Sequence, residues 1–117
     1  MRTLFASVAA AALMIAAPAA EAYTVYVSNE KGNTITVIDS ETLEVVDTID
    51  VGQRPRGITI AHDGSELYLC ASDDNHVEVF DPVTMERTHT LPSGPDPELF
   101  VLHPSGNPLY IANEDDN

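Results

Sequence analysis

The sequence predicts an all-β fold, a β-propeller built from four-stranded antiparallel blades, and three observations carry that prediction. A tetrapeptide recurs at a fixed interval: Tyr26-Val27-Ser28-Asn29, Tyr68-Leu69-Cys70-Ala71 and Tyr110-Ile111-Ala112-Asn113 are spaced by 42 residues. The register between copies holds without a gap. Asn33, Asn75 and Asn117 match, as do Asp39 and Asp81, Thr42 and Thr84, Gly52 and Gly94, Pro55 and Pro97, and Gly64 and Gly106. The interval is filled with short β-branched and aromatic runs separated by Gly, Pro, Asn and Asp, the punctuation of strands and tight turns. A period in the low forties with this filling is the signature of a propeller blade.

The N-terminus stands outside the repeat. Arg2 precedes an apolar run from Leu4 to Ala17, Pro18 breaks the run, and Ala20-Glu21-Ala22 places small residues at the two positions a signal peptidase reads. Residues 1–22 therefore read as a secretory signal peptide. The run falls short of the ~20 residues a spanning helix needs, so no membrane span is expected after cleavage. The expected location is the periplasm, and the mature chain starts near Tyr23.

Labelled A to D from the inner to the outer edge of a blade, the strands follow in order. Tyr23 to Ser28, Thr34 to Asp39 and Glu44 to Ile49 alternate in the manner of strands, and residues 23–50 give B, C and D of one blade. Asp39 and Asp81 each open an Asp-x-x-Thr turn, where the carboxylate can accept a backbone N–H two residues on. Residues 57–91 give one complete blade: Ile58 to Ile60, a His62-Asp63-Gly64 turn, Leu67 to Ala71, His76 to Phe80, and Arg87 to Leu91. Residues 98–112 give A and B of the next, through Glu98 to Leu102 and Pro108 to Ala112. About two and a quarter blades are present. A closed ring takes about 4 to 8 blades, roughly 170 to 340 residues at this period. The chain thus reads as the N-terminal part of a longer propeller. A ring closed from several short chains is the other solution, and it conflicts with a repeat cut in mid-blade.

Composition narrows the functional classes. Five basic residues face 19 acidic ones, for a net charge of −14, and the predicted cleavage removes one charge of each sign, Arg2 and Glu21. Binding to nucleic acid or an anionic membrane would call for a positive surface, so neither is expected. Cys70 is the single cysteine, which excludes an intrachain disulfide and a C-x-x-C-H haem attachment site. Its place inside a strand, in the slot of Ser28 and Ala112, predicts a small buried residue. Tryptophan is absent.

The motifs Y-V-S-N at 26–29, N-T-I-T-V-I-D at 33–39, V-G-Q-R-P-R-G at 51–57 and H-D-G-S-E-L-Y at 62–68 resemble the Tyr-Val-Thr-Asn-type repeat of bacterial propellers over the whole mature chain. The segments 29–33 (N-E-K-G-N) and 95–100 (P-D-P-E-L-F) are most similar to exported propeller proteins associated with PQQ-dependent catabolism. That resemblance implies a ring of around seven blades and a periplasmic accessory role beside quinoprotein alcohol oxidation. On this reading the chain is a non-catalytic binding or scaffold protein without a cofactor. Its partner would be a periplasmic quinoprotein dehydrogenase or another exported protein. Related propellers hold a modified haem or hydrolyse sugar lactones, so a propeller enzyme or cofactor carrier is the alternative. No functional residue of either matches this sequence position by position.

The candidate site comes from strand direction. Because strands alternate, the B–C turns and D–A loops emerge on one rim, where Lys31, Asp73, Asp74, Asp115 and Asp116 lie on the turns. The D–A loops carry Arg54 and Arg56 in one blade and, 42 residues on, Asp96 and Glu98 in the next. These four side chains are expected near the central funnel. They either form inter-blade ion pairs or line a polar mouth for a small anion or a partner loop. The acidic turns lack EF-hand spacing and read as solvated rather than calcium-binding. His62, His76, His89 and His103 fall at scattered repeat positions that converge on no ligand geometry.

Overall fold

The computed structural model describes residues 21–115. The predicted signal peptide therefore lies outside the described residues except for Glu21 and Ala22, as does Asp116. The remainder is all-β, as expected, with no helix among the described residues. The described residues form nine strands in order: β1 (Thr24–Asn29), β2 (Thr34–Asp39), β3 (Val45–Asp50), β4 (Pro55–Ile60), β5 (Leu67–Ala71), β6 (His76–Phe80), β7 (Arg87–Pro92), β8 (Pro97–Leu102) and β9 (Leu109–Asn113). They form three antiparallel sheets, β1-β2-β3, β4-β5-β6-β7 and β8-β9, each in simple chain order.

The period is written in the backbone as well as in the sequence. Left-handed φ angles recur 42 residues apart at Asn33 and Asn75 (55° and 56°), Leu43 and Met85 (59° and 57°), Arg54 and Asp96 (52° and 50°), and Gly64 and Gly106 (74° and 86°). Asn and Gly enter this region at low cost, whereas Leu and Met are held there by the turn around them. That turn is built from the Asp carboxylate. Asp39 Oδ1 accepts the N–H groups of Glu41 (2.8 Å) and Thr42 (2.9 Å), and Leu43 N–H returns to the Asp39 carbonyl. Asp81 repeats the arrangement with Val83, Thr84 and Met85. The Thr42 and Glu41 amides hold the Asp39 carboxyl below its ordinary pKa.

Strands β4 and β8 start earlier than their apolar residues suggest. Pro55 pairs with Ala71, and Pro97 with Asn113, across a register shift that absorbs the residues before Ile58 and Leu99. Proline is tolerated as the first residue of a strand, where no ladder N–H is needed. The Gly/Pro punctuation read as loop is thus the bulged beginning of each inner strand.

Packing is concentrated between sheets. Ile35 and Val37 of the first sheet meet Leu67, Leu69, Phe80 and Met85 of the second, with Tyr26, Ile49, Val51 and Ile58 around them. Fully burying such side chains stabilises by about 1.5–3 kcal/mol each. The seam is also pinned by polar contacts: the Tyr26 hydroxyl donates to the Pro82 carbonyl (3.1 Å) and the Ser28 hydroxyl to the Arg56 carbonyl (2.6 Å). Between the second and third sheets, Ser72 Oγ donates to the Pro97 carbonyl (2.5 Å), and the Tyr68 and Phe100 rings lie 6.4 Å apart. Here Gly57 brings β4 so close to β8 that a Cβ would run into the Glu98 backbone. Cys70 is buried, and burial pushes its thiol up to about 12. The outer faces of the flanking sheets remain open, with Val45, Val46, Leu99, Val101 and Tyr110 exposed.

Candidate functional site

The turn between β1 and β2 positions the first arginine. Asn33, itself left-handed, turns its side-chain oxygen to accept the Arg54 N–H (2.9 Å), while the Arg54 carbonyl accepts Ser72 N–H (3.2 Å). One period later Asn75 Oδ1 accepts Asp96 N–H (2.9 Å) and the Asp96 carbonyl accepts Glu114 N–H (2.9 Å). Identical backbone frames therefore present opposite charges. Arg54 and Asp96 face each other across the seam.

Around that pair the structure gathers a larger network. Arg54 Nη1 reaches both Asp96 oxygens (3.3 Å) and Asp73 Oδ1 (3.1 Å), Nε reaches Glu30 (3.2 Å), and Nη2 reaches Glu114 (3.4 Å). Arg56 pairs with Glu98 and, through Nη1, with Glu114 (2.8 Å), while its Nε lies 4.0 Å from Glu30. Two guanidinium groups are thus surrounded by five carboxylates drawn from all three sheets. The bonds from Asp73 and Glu30 raise the Arg54 pKa further above its ordinary value, so it is charged at every accessible pH. Asp96 is the most sheltered acid, its side chain 11% exposed, whereas Glu30, Asp73 and Glu114 are about half exposed. Ion pairs of that exposure stabilise weakly and are screened by salt. Their effect is to order the side chains and leave the rim acidic.

Beside the network lies a cavity of about 440 Å³, lined by Ser28, Glu30, Pro55, Arg56, Gly57, Glu98 and Leu99. Of the four residues the sequence singled out, Arg56 and Glu98 line this cavity, and Arg54 and Asp96 stand beside them in the network. Sequence reasoning missed Glu30 and Glu114. The signal was available, because positions 30, 72 and 114 are one repeat position carrying Glu, Ser and Glu.

It also missed Glu78. This carboxylate is fully buried in the seam between the first two sheets, paired with Arg87, and its Oε2 accepts the Gly52 N–H (3.0 Å). His76 Nε2 sits 3.7 Å from Glu78 Oε1, buried and without a hydrogen-bond partner among the described residues. Strict alternation along H-V-E-V-F puts His76 and Glu78 on the face of Phe80, which was the available clue. On the opposite rim His62 Nε2 meets the His103 carbonyl (3.1 Å), and His103 Nδ1 meets Ser105 Oγ (2.8 Å). Among the described residues, no three His, Cys, Asp or Glu side chains gather as a metal site requires.

A family model described as lactonase, 7-bladed beta-propeller, matches residues 5–90, well over half of the chain. No curated protein matches. Among solved structures, hydrazine synthase from Kuenenia stuttgartiensis is 26% identical with a TM-score of 0.75, over 79% of this chain and 26% of that one. A functionally unknown protein from Desulfotomaculum acetoxidans is 20% identical with a TM-score of 0.67, over 78% and 31%. The dihydro-heme d1 dehydrogenase NirN in complex with DHE is 16% identical with a TM-score of 0.67, over 86% and 22%. The chain spans under a third of the length of each of these structures.

Proposed function

Because the chain belongs to the lactonase family of seven-bladed β-propellers, we propose that it acts as part of an exported propeller that binds a partner protein rather than transforming a substrate. Its setting is periplasmic PQQ-dependent alcohol oxidation, and its partner a quinoprotein dehydrogenase or another exported protein. The observation that carries this reading is the charge balance of the rim. Both arginines are fully engaged by Glu30, Asp73, Asp96, Glu98 and Glu114, which leaves an excess of carboxylates ordered on a rigid frame. A surface of this kind favours a basic segment of a partner over a small anion. The resemblance of the repeat motifs to exported propellers of PQQ-dependent catabolism supplies the setting.

The test is purification of the full-length protein from the periplasm. Colourless, metal-free protein that co-purifies with a quinoprotein dehydrogenase and releases it at high salt is the expected result. The second reading is a lactone-hydrolysing enzyme or a haem-binding carrier. It is favoured by the family description. A visible absorbance band, stoichiometric metal or hydrolysis of sugar lactones would establish it and sink the scaffold reading.

A further inference from the structure

The loop between β3 and β4, which carries Arg54 and leads into Arg56, has four consecutive backbone N–H groups, and each is held. Val51 N–H donates to the Asn33 carbonyl (3.0 Å), Gly52 to Glu78 Oε2 (3.0 Å), Gln53 to Asp74 Oδ2 (2.7 Å) and Arg54 to Asn33 Oδ1 (2.9 Å). Asn33 belongs to the sheet before the loop. The two carboxylates belong to the sheet after it. The loop is therefore gripped from both sides of a seam, and charge-assisted bonds of this type are the stronger kind.

The grip is a departure from the repeat. Asp74 and Glu78 stand where the preceding copy has Gly32 and Thr36, and Ala71 and Arg87 stand where it has Asn29 and Val45. In that copy Asn29 Nδ2 donates to Thr36 Oγ1 (2.8 Å), and β2 forms the same strand with a threonine at the position of Glu78. The sheet does not need a buried carboxylate at this position, and burying one is costly unless it is paired. The room for it comes from two small residues: a Cβ on Gly52 would lie 2.7 Å from both Ala71 Cβ and Asp74 Oδ2. One period on, the place of Gln53 is taken by Pro95, which has no N–H to be held. The double carboxylate clamp thus coincides with the one described loop that presents arginines.

We propose that Glu78 and Asp74 are positioning residues, two carboxylates that clamp Gly52 and Gln53 beside the Asn33 contacts to Val51 and Arg54, so that Arg54 and Arg56 hold the five rim carboxylates in a single arrangement. The contribution to docking is preorganisation: a basic segment meets acids already in place, without ordering them on arrival. This inference rests on the partner-docking reading of the rim.

The experiment measures amide hydrogen exchange and hexalysine affinity on full-length wild type, E78Q and D74A. In the wild type, the Gly52 and Gln53 amides exchange slowly. In E78Q, whose single oxygen cannot serve both Gly52 and Arg87, the Gly52 amide exchanges at least tenfold faster, and so does the Gln53 amide in D74A, while the β5–β6 ladder keeps its protection. Hexalysine affinity falls at least threefold in both, with the melting temperature of D74A unchanged because Asp74 lies on an exposed turn. If E78Q does not fold, D74A alone carries the test. Unchanged exchange at Gly52 and Gln53 overturns the clamp. Faster exchange with unaltered hexalysine affinity overturns the positioning role. If wild type binds no hexalysine at all, the docking reading falls, and with it the positioning role, whatever the exchange data show about the clamp.

Discussion

Replacing Gly57 by alanine isolates the closeness of the blades from every other property of the chain. Gly57 has an ordinary backbone conformation, so alanine is not strained by its φ angle. The added methyl instead meets the carbonyl and Cα of the next inner strand, at Glu98 and Leu99. Those are backbone atoms that cannot rotate aside, so β4 and β8 must separate. Overpacking of this kind costs about 1–3 kcal/mol. The loss of unfolded-state freedom on replacing glycine returns about 0.4–1 kcal/mol. The net expectation is a destabilisation of about 1–2 kcal/mol. With a urea m-value of about 2 kcal/mol/M, that is a midpoint shift of about 0.5–1 M in the full-length protein. Gly32→Ala is the control: its Cβ would lie no closer than 3.5 Å to Thr34 Oγ1, an ordinary contact. It should be neutral or slightly stabilising. A Gly57→Ala protein as stable as Gly32→Ala would refute the argument, because the seam would then have slack that the geometry denies.

Gly64→Val should destabilise by about 1–3 kcal/mol through backbone strain alone, since φ is 74° and no atom lies within 4 Å of the added Cβ; an unchanged melting temperature would remove that turn conformation. Cys70 should resist thiol labelling at pH 8 in the native protein and react only on unfolding, as burial pushes its pKa up to about 12. The sign follows from linkage. The folded state binds this proton more tightly than the unfolded chain, so the associated stability is intact below pH ~9 and is lost as pH rises toward 12. Arg54→Ala should lower stability more at low salt than at about 0.5 M salt, where exposed ion pairs are screened; equal losses at both would mean that packing, not charge, holds the residue. Asp39→Asn should weaken the β2–β3 turn, and in the wild type that turn's contribution should fade as acid protonates Asp39, whose carboxyl titrates below its ordinary range. A stability profile of Asp39→Asn parallel to wild type at low pH would contradict this.

Much of the architecture was legible because the repeat leaves little freedom. Tyr26, Tyr68 and Tyr110 mark one strand three times, and a single register then places every turn. The start of β4 was not legible, because Pro55 and Gly57 signal loop locally, and only the partner strand makes them a bulged edge. The site was half legible. Arg54 and Asp96 stand out as opposite charges at one repeat position. Glu30 and Glu114 share a repeat position too, but turn acids are normally solvated, and the fold is what shows that arginines reach them. Glu78 was hidden by the opposite habit, the expectation that a charge in a strand faces water. Its burial depends on Arg87 and on the Gly52 amide, which lie far from it in the chain or on another strand.

The left-handed residues at 54 and 96 separate shape from content. At most such positions a chain settles for glycine and forgoes a side chain. Here the conformation is imposed from outside, by the Asn33 and Asn75 side chains gripping the backbone, so the slot accepts a charged side chain in place of glycine. One blade writes a cation in that slot and the next an anion, with no change in the frame. A molecule built this way can be rewritten at its rim, one loop at a time, while the scaffold that carries the text stays the same.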